Sequence, residues 1–177
     1  MAKPAAHKHL EDDHHVIRLC SRQKQATDEQ GKVIGVNPSF FELKKDRNES
    51  YLSCSWLEYF LGTDDEKLQK VHDYMKAKMK IGTNALLAKS NVLKVKNCAK
   101  KQGHDLKIRH TPSKKDPAYA KISGLPLDNS DRALLDALAN EAATQLLPLP
   151  VVAPVAIPTA APANPAKTSA VGSKKAT

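Results

Sequence analysis

Cysteine, zinc-type spacings and aromatic side chains are what this sequence has least of. Its three cysteines, Cys20, Cys54 and Cys98, are far apart, odd in number and contain no C-x-x-C pair. That excludes a disulfide framework and the common zinc ribbons, and it fits a reducing, cytoplasmic setting. No H-E-x-x-H pattern is present either. Histidines 7, 9, 14 and 15 lie near Glu11, Asp12 and Asp13, yet neighbouring residues on a strand point to opposite faces, so their spacing does not build a metal site. No metal, no cofactor and no assembled catalytic set are expected. The start "MAKPAAHKHLEDDHH" has no apolar core of the kind a secretory signal needs. The one long uncharged apolar stretch, residues 146–163, contains five prolines, which break a membrane helix repeatedly and suit an extended chain. No membrane partner is expected.

What the sequence does have is positive charge in one place. The formal net charge is +9 and the pI is about 9.4, a balance that favours acidic partners without specifying a fold. Residues 1–62 carry nine basic and nine acidic side chains, whereas residues 63–121 carry fifteen and six. Within that middle third, residues 76–110 hold ten lysines and arginines against a single acid, Asp105.

The hydrophobic pattern predicts one α+β domain over residues 12–147, with a small mixed sheet and about three amphipathic helices. A flexible segment, 1–11, precedes it and a Pro/Ala-rich disordered tail, 148–177, follows. "HVIRLC", "GKVIGV", "SFFEL" and "YLSCSWL" read as strands of an antiparallel sheet over 15–56, with Leu52 and Cys54 facing one way and Ser53 and Ser55 the other. The T-x-x-E pattern from Thr63 to Glu66 is a capping box opening a helix. Leu68, Val71, Met75 and Met79 form its apolar stripe, and Gly82 is placed to stop it. "NALLAKS", a second helix over 92–103 with Val92, Val95 and Ala99 inward, and "HDLKIRH" make a β-α-β unit with parallel strands. "AYAKIS" reads as a helical turn. The last helix carries Leu135, Leu138, Ala142 and Leu146 on its buried stripe, capped by Asp128 or Ser130.

Six residues are the candidate binding set. Lys94, Lys96, Lys100 and Lys101 occupy the polar circumference of the second helix, and Lys107 and Arg109 point outward from the following strand. Such a face suits the phosphates of nucleic acid, read with little sequence specificity. All eight aromatics lie outside residues 76–110. The stacking platform used by single-strand binders is therefore not written into the stretch, and a duplex or structured nucleic acid is the expected partner, with an acidic protein as the other class. A rival site is a small enzyme pocket near Arg18, Ser53 and Ser55.

The D-H-x-V-x-R run at residues 13–18 and the S-x-x-W-L-E-Y-F block at 53–60 resemble a group of small uncharacterised bacterial proteins over roughly residues 10–147. The resemblance implies a bacterial cytoplasmic setting, where a protein-interaction subunit of a multi-protein system is a further reading. It brings no activity with it.

Overall fold

Alternating apolar residues build most of the fold directly. The computed structural model describes residues 8–143 and 145–150. The strands are β1 (Lys8–His9), β2 (His15–Cys20), β3 (Gln25–Thr27), β4 (Val33–Val36), β5 (Tyr51–Trp56), β6 (Leu86–Asn91), β7 (Lys107–His110), β8 (Tyr119–Ser123) and β9 (Leu146–Pro148). The helices are α1 (Asp64–Lys78), α2 (Val92–Lys101) and α3 (Arg132–Ala143). Seven strands form one sheet in the order β1-β7-β8-β5-β2-β6-β9, and β3 and β4 form a separate hairpin. The class is α+β, as expected, but the main sheet is larger than expected and all its neighbouring strands pair antiparallel.

Each face of the sheet has its own core. On one side Val16, Cys20, Leu52, Cys54, Ala88, Ile108, Ala120 and Ile122 pack against Val92, Val95 and Ala99 of α2 and Leu134, Leu135 and Leu138 of α3. On the other, Ile17 and Leu87 pack with Leu57, Phe60, and Val71 and Met75 of α1, flanked by Leu19 and Leu147. Ile17 and Leu87 are both 0% exposed, and burying a side chain of that size contributes about 1.5–3 kcal/mol. Helix α1 therefore sits over the β2-β6-β9 half of its face.

The helix ends follow local chemistry. Thr63 Oγ1 accepts from Glu66 N, and Glu66 Oε2 accepts from Thr63 N, at 3.4 and 2.8 Å. The bond from the Thr63 backbone holds the Glu66 carboxyl below its usual range. The stop comes at Met79, whose extended backbone closes α1 before Gly82 and leaves its side chain exposed rather than on the stripe. Asn91 caps α2 through Lys94 N. The cap of α3 is Asp131, whose Oδ1 accepts from Leu134 N at 2.9 Å, one residue beyond Ser130 and three beyond Asp128, the two expected.

Several expectations change. "SFFEL" is not a strand: Pro38–Phe41 is a 3-10 turn with proline in its first turn, because a fixed φ and a missing N–H suit a helix start better than a ladder. "AYAKIS" is not a helical turn but strand β8, paired with both β5 and β7. Five residues are too few for a stable helix, and the alternation of buried Ala120 and Ile122 with half-buried Tyr119, Lys121 and Ser123 is that of a sheet. Gly124 ends it at φ +99°, where a Cβ would lie 2.6 Å from the Asp105 carbonyl oxygen. Strands β6 and β7 run in the same direction, as expected of a β-α-β unit, but β2, β5 and β8 stand between them.

The folded part also extends past both expected ends. Lys8 and His9 pair with His110 and Arg109, and Leu10 is buried. At the other end α3 stops at Ala143, and Leu146 belongs to β9, paired with β6. Leu147 and Leu149 join the core under α1. Pro148 is tolerated because β9 is an edge strand. The side chain of Ala142 and the expected tail from residue 151 lie outside the described residues.

Because β9 is part of the domain, a chain ending at Gln145 will be less stable than one ending at Pro150 by roughly 3 kcal/mol, the worth of the three half-buried leucines Leu146, Leu147 and Leu149. Urea denaturation of the two chains measures this; equal midpoints would place the boundary back at the end of α3.

Candidate nucleic-acid interface and the adjoining cleft

The six candidate cations do not form one face. Lys94, Lys96, Lys100 and Lys101 are on α2, which packs on the sheet face that holds Ile108. Alternation along β7 sends Lys107 and Arg109 to the opposite face. Two of the helix lysines are engaged within the chain: Lys96 Nζ lies 2.9 Å from Asp12 Oδ1, and Lys94 Nζ lies 3.8 Å from Glu141 Oε1.

Around Lys107 and Arg109 the sheet gathers a different set. Register places Arg109 opposite Lys121, and Lys121 opposite Ser53; one step along, Lys107 faces Ser123, and Ser123 faces Tyr51. All project from the face that α1 leaves uncovered on the β5-β8-β7 half, where Ser53 and Lys107 are exposed and Tyr51, Arg109, Tyr119, Lys121 and Ser123 are half-buried. Lys121 Nζ stands 3.9 Å over the Tyr51 ring and 5.9 Å from the Tyr119 ring, while Lys78 Nζ is 5.7 Å from the latter. The Tyr119 hydroxyl is 2.8 Å from Ser53 Oγ, and burial pushes its pKa up to about 12, so it stays protonated at neutral pH. Arg109 Nε donates to His9 Nε2 at 3.1 Å. Among the described residues none of Lys107, Arg109 and Lys121 is ion-paired with a carboxylate.

Sequence reasoning missed Tyr51, Tyr119 and Lys121. The signal was present: in "YAKIS" the period is two, with Tyr119 and Lys121 on one face and Ala120 and Ile122 on the other.

Beside this surface the sheet forks. Strand β2 pairs with β6 along its whole length, from His15 to Cys20, but meets β5 only at Val16–Trp56 and Ile17–Ser55. Beyond Ile17 the two strands separate. Arg18 fills the fork: its Nε donates to the Ser53 carbonyl at 3.1 Å, its Nη1 donates to the Phe40 carbonyl at 2.8 Å, and its guanidinium carbon is 4.4 Å from the Phe40 ring centre. Loss of water around the guanidinium lowers its pKa to about 10, which leaves it charged at neutral pH. The fork opens into a cleft of about 590 Å³ that Arg18, Ser53, Cys54, Ser55, Asp116 and Tyr119 help to line. Thus Arg18, Ser53 and Ser55, the rival site, do come together.

The groups around them do not make a nucleophile. Burial pushes the Cys54 thiol up to about 12 and the Cys20 thiol to about 11, the reverse of what a reactive cysteine requires. Nor do the histidines assemble. His15 Nδ1 is 2.8 Å from Glu58 Oε1, His104 Nε2 is 2.6 Å from Asp131 Oδ2, and His110 Nε2 is 2.6 Å from the Pro117 carbonyl. His7 lies outside the described residues. Among the described residues no three His, Cys, Asp or Glu side chains are grouped to hold a metal ion, and no helix is long and apolar enough to cross a membrane. No protein-family model matches the chain, and neither does any curated protein or solved structure.

The thiols give a direct check on the cleft. Treated with a thiol reagent at pH 8, the folded protein should be modified first at the half-buried Cys98, while Cys54 and Cys20 react only on unfolding. Rapid modification of Cys54 in the native protein would mean that its environment is not the buried one described.

Proposed function

We propose that this chain is a non-enzymatic nucleic-acid-binding protein whose interface is the uncovered half of the sheet, and that it prefers single strands. The observation that carries the reading is the row of unpaired cations, Lys107, Arg109 and Lys121, set beside the rings of Tyr51 and Tyr119. Arg109 and Lys121 are directly opposite each other on neighbouring strands, an arrangement that costs stability unless an anion lies over it. A phosphate backbone supplies that anion, and the tyrosine rings give the bases a surface on which to stack, which is how single-strand binders hold any sequence. The expected preference for duplex rested on the absence of aromatics from residues 76–110; strand pairing weakens that reason by setting Tyr51 and Tyr119 on the same face as Lys107 and Arg109. The lysines of α2 are secondary, since Lys94 and Lys96 already answer carboxylates of the same chain.

Fluorescence anisotropy with labelled single-stranded and duplex oligonucleotides tests this. Three phosphate contacts on a single strand give a log–log salt slope of about −2, so affinity should fall about twentyfold between about 50 and 200 mM salt. The Arg109→Glu/Lys121→Glu variant should abolish binding with its circular dichroism unchanged, and Tyr51→Ala should weaken it by about 1–3 kcal/mol per stacked base lost. Lys94→Glu/Lys96→Glu should have little effect on affinity. Tighter binding to duplex, with losses on α2 instead, would return the interface to the helix; absence of binding at the low-salt end would end the proposal.

A further inference from the structure

We propose that the cleft at the β2–β5 fork is a binding site for a small organic phosphate, a phosphomonoester on a body of about mononucleotide size. Three observations lead there.

The first is an anchored cation with no anion of its own. Arg18 spends Nε and one hydrogen of Nη1 on the Ser53 and Phe40 carbonyls and rests one face on Phe40. Three of its five N–H bonds remain, and among the described residues no carboxylate is ion-paired with it, Glu49 acting on it only at longer range. A guanidinium fixed in this way is pre-organised for a two-point contact with an oxyanion, because the entropy of ordering its long side chain is already spent on the fold.

The second is charge. The lining holds five cations, Lys44 and Arg47 among them, against three carboxylates. An excess of two positive charges matches a phosphomonoester, which carries about −1.5 to −2 at neutral pH, better than a single carboxylate.

The third is the polar lining and the size of the space. Asp116 is 2% exposed; Lys78 Nζ bonds its Oδ2, while its Oδ1 has no partner among the described residues. A buried carboxylate oxygen without a donor is costly. Asp116 and Ser55 are buried in the cleft wall, so the polar groups open to a ligand body are those of Ser53 and Tyr119. The volume of about 590 Å³ lies within the range of small-molecule sites, about 300–1,000 Å³. The site is distinct from the nucleic-acid reading: it needs Arg18 and the loop cations, whereas the strand interface needs Lys107, Arg109 and Lys121.

Isothermal titration of the full chain with inorganic phosphate, ribose 5-phosphate, adenosine 5'-monophosphate and phosphate-free adenosine and ribose is the test. The organic phosphates should bind with submillimolar Kd, inorganic phosphate more weakly, and the phosphate-free probes not at all. Arg18→Lys, which keeps the charge and loses the two-point geometry, should weaken binding about tenfold or more, equivalent to about 1.4 kcal/mol. Because Arg18 also ties down two backbone carbonyls and that variant risks unfolding, Lys44→Glu/Arg47→Glu serves as the second variant. Both of its residues are exposed, and it should weaken the same probes by at least as much, with Lys32→Glu, far from the cleft lining, as the charge control. No heat from any phosphate at millimolar concentration, equal binding of adenosine, or binding indifferent to Lys44→Glu/Arg47→Glu would overturn the proposal. Loss of oligonucleotide binding in Arg109→Glu/Lys121→Glu with the phosphate titration intact would show that the two sites stand independently.

Discussion

Among the described residues two pairs, Val16–Trp56 and Ile17–Ser55, are the ladder contacts joining the β1-β7-β8-β5 half of the sheet to the β2-β6-β9 half. A junction so narrow cannot rest on main-chain hydrogen bonds alone. Apolar layers brace it from both sides, with Val16 in the core under α2 and α3 and Ile17 in the core under α1. Trp56, at its outer end, is packed between the rings of His14 and His110, each 5.0 Å away. At the inner end the strands part, and a carbonyl that a continuous ladder would have paired, that of Ser53, is taken by the Arg18 side chain instead. The Arg18–Ser53 bond is exposed and the Arg18–Phe40 bond part-buried, so a long side chain with several donors at residue 18 ties the parted strand to the turn at Pro38–Phe41 before it does anything else.

Both candidate surfaces are consequences of that fork. Helix α1 packs on Ile17 and Leu87, on the β2-β6 side of the junction, and meets β8 through Lys78, whose Nζ is 5.7 Å from the Tyr119 ring. The strands beyond the junction are thus left with one buried face and one wetter face, which is why β8 alternates, Ala120 and Ile122 against Lys121, and β5 alternates as far as Cys54, Leu52 and Cys54 against Ser53, before Ser55 is buried at the junction. The separation of β2 from β5 beyond Ile17 also opens the space that Phe40 and Leu43 line from one direction and Met75 from another. The cleft and the open face share Ser53 and Tyr119 as a common border.

Local signals were legible, and long-range ones were not. The Thr63 cap, the stripe Leu68–Val71–Met75, the strands at 15–20 and 51–56 and the inward Leu106 and Ile108 could all be read, because each depends on residues within one or two turns of one another. The segment 119–123 was misread because five residues satisfy a short helical turn nearly as well as a strand, and only β5 and β7 on either side decide the matter. Strands β1 and β9 were missed for the same reason: two or three residues have no period, and Lys8 and Leu147 become strand residues only through Arg109, His110 and Leu87. The binding set suffered most. Grouping cations by their closeness in sequence joined α2 to β7, whereas the sheet separates them and sets Arg109 beside Lys121, twelve positions further along, and near Tyr51, which sequence distance had placed out of reach.

A basic surface maintained only for solubility has no reason to be arranged in this way. Solvated lysines do best apart, or near carboxylates, as Lys96 with Asp12 and Lys89 with Asp64 show at 2.9 and 2.7 Å. Arg109 and Lys121 instead occupy directly paired positions, where like charges destabilise a sheet by a few tenths to about 1 kcal/mol, and each is eased only by a neutral neighbour: His9 accepts from Arg109, and the Tyr51 ring lies under Lys121. Those neighbours orient the cations without neutralising them. A carboxylate at either site would have relieved the repulsion more fully while cancelling the charge that an incoming phosphate meets. The choice of a ring and an imidazole over an acid is what separates this face from the rest of the basic surface, and it is the physical ground for proposing the sheet rather than the helix as a polyanion site.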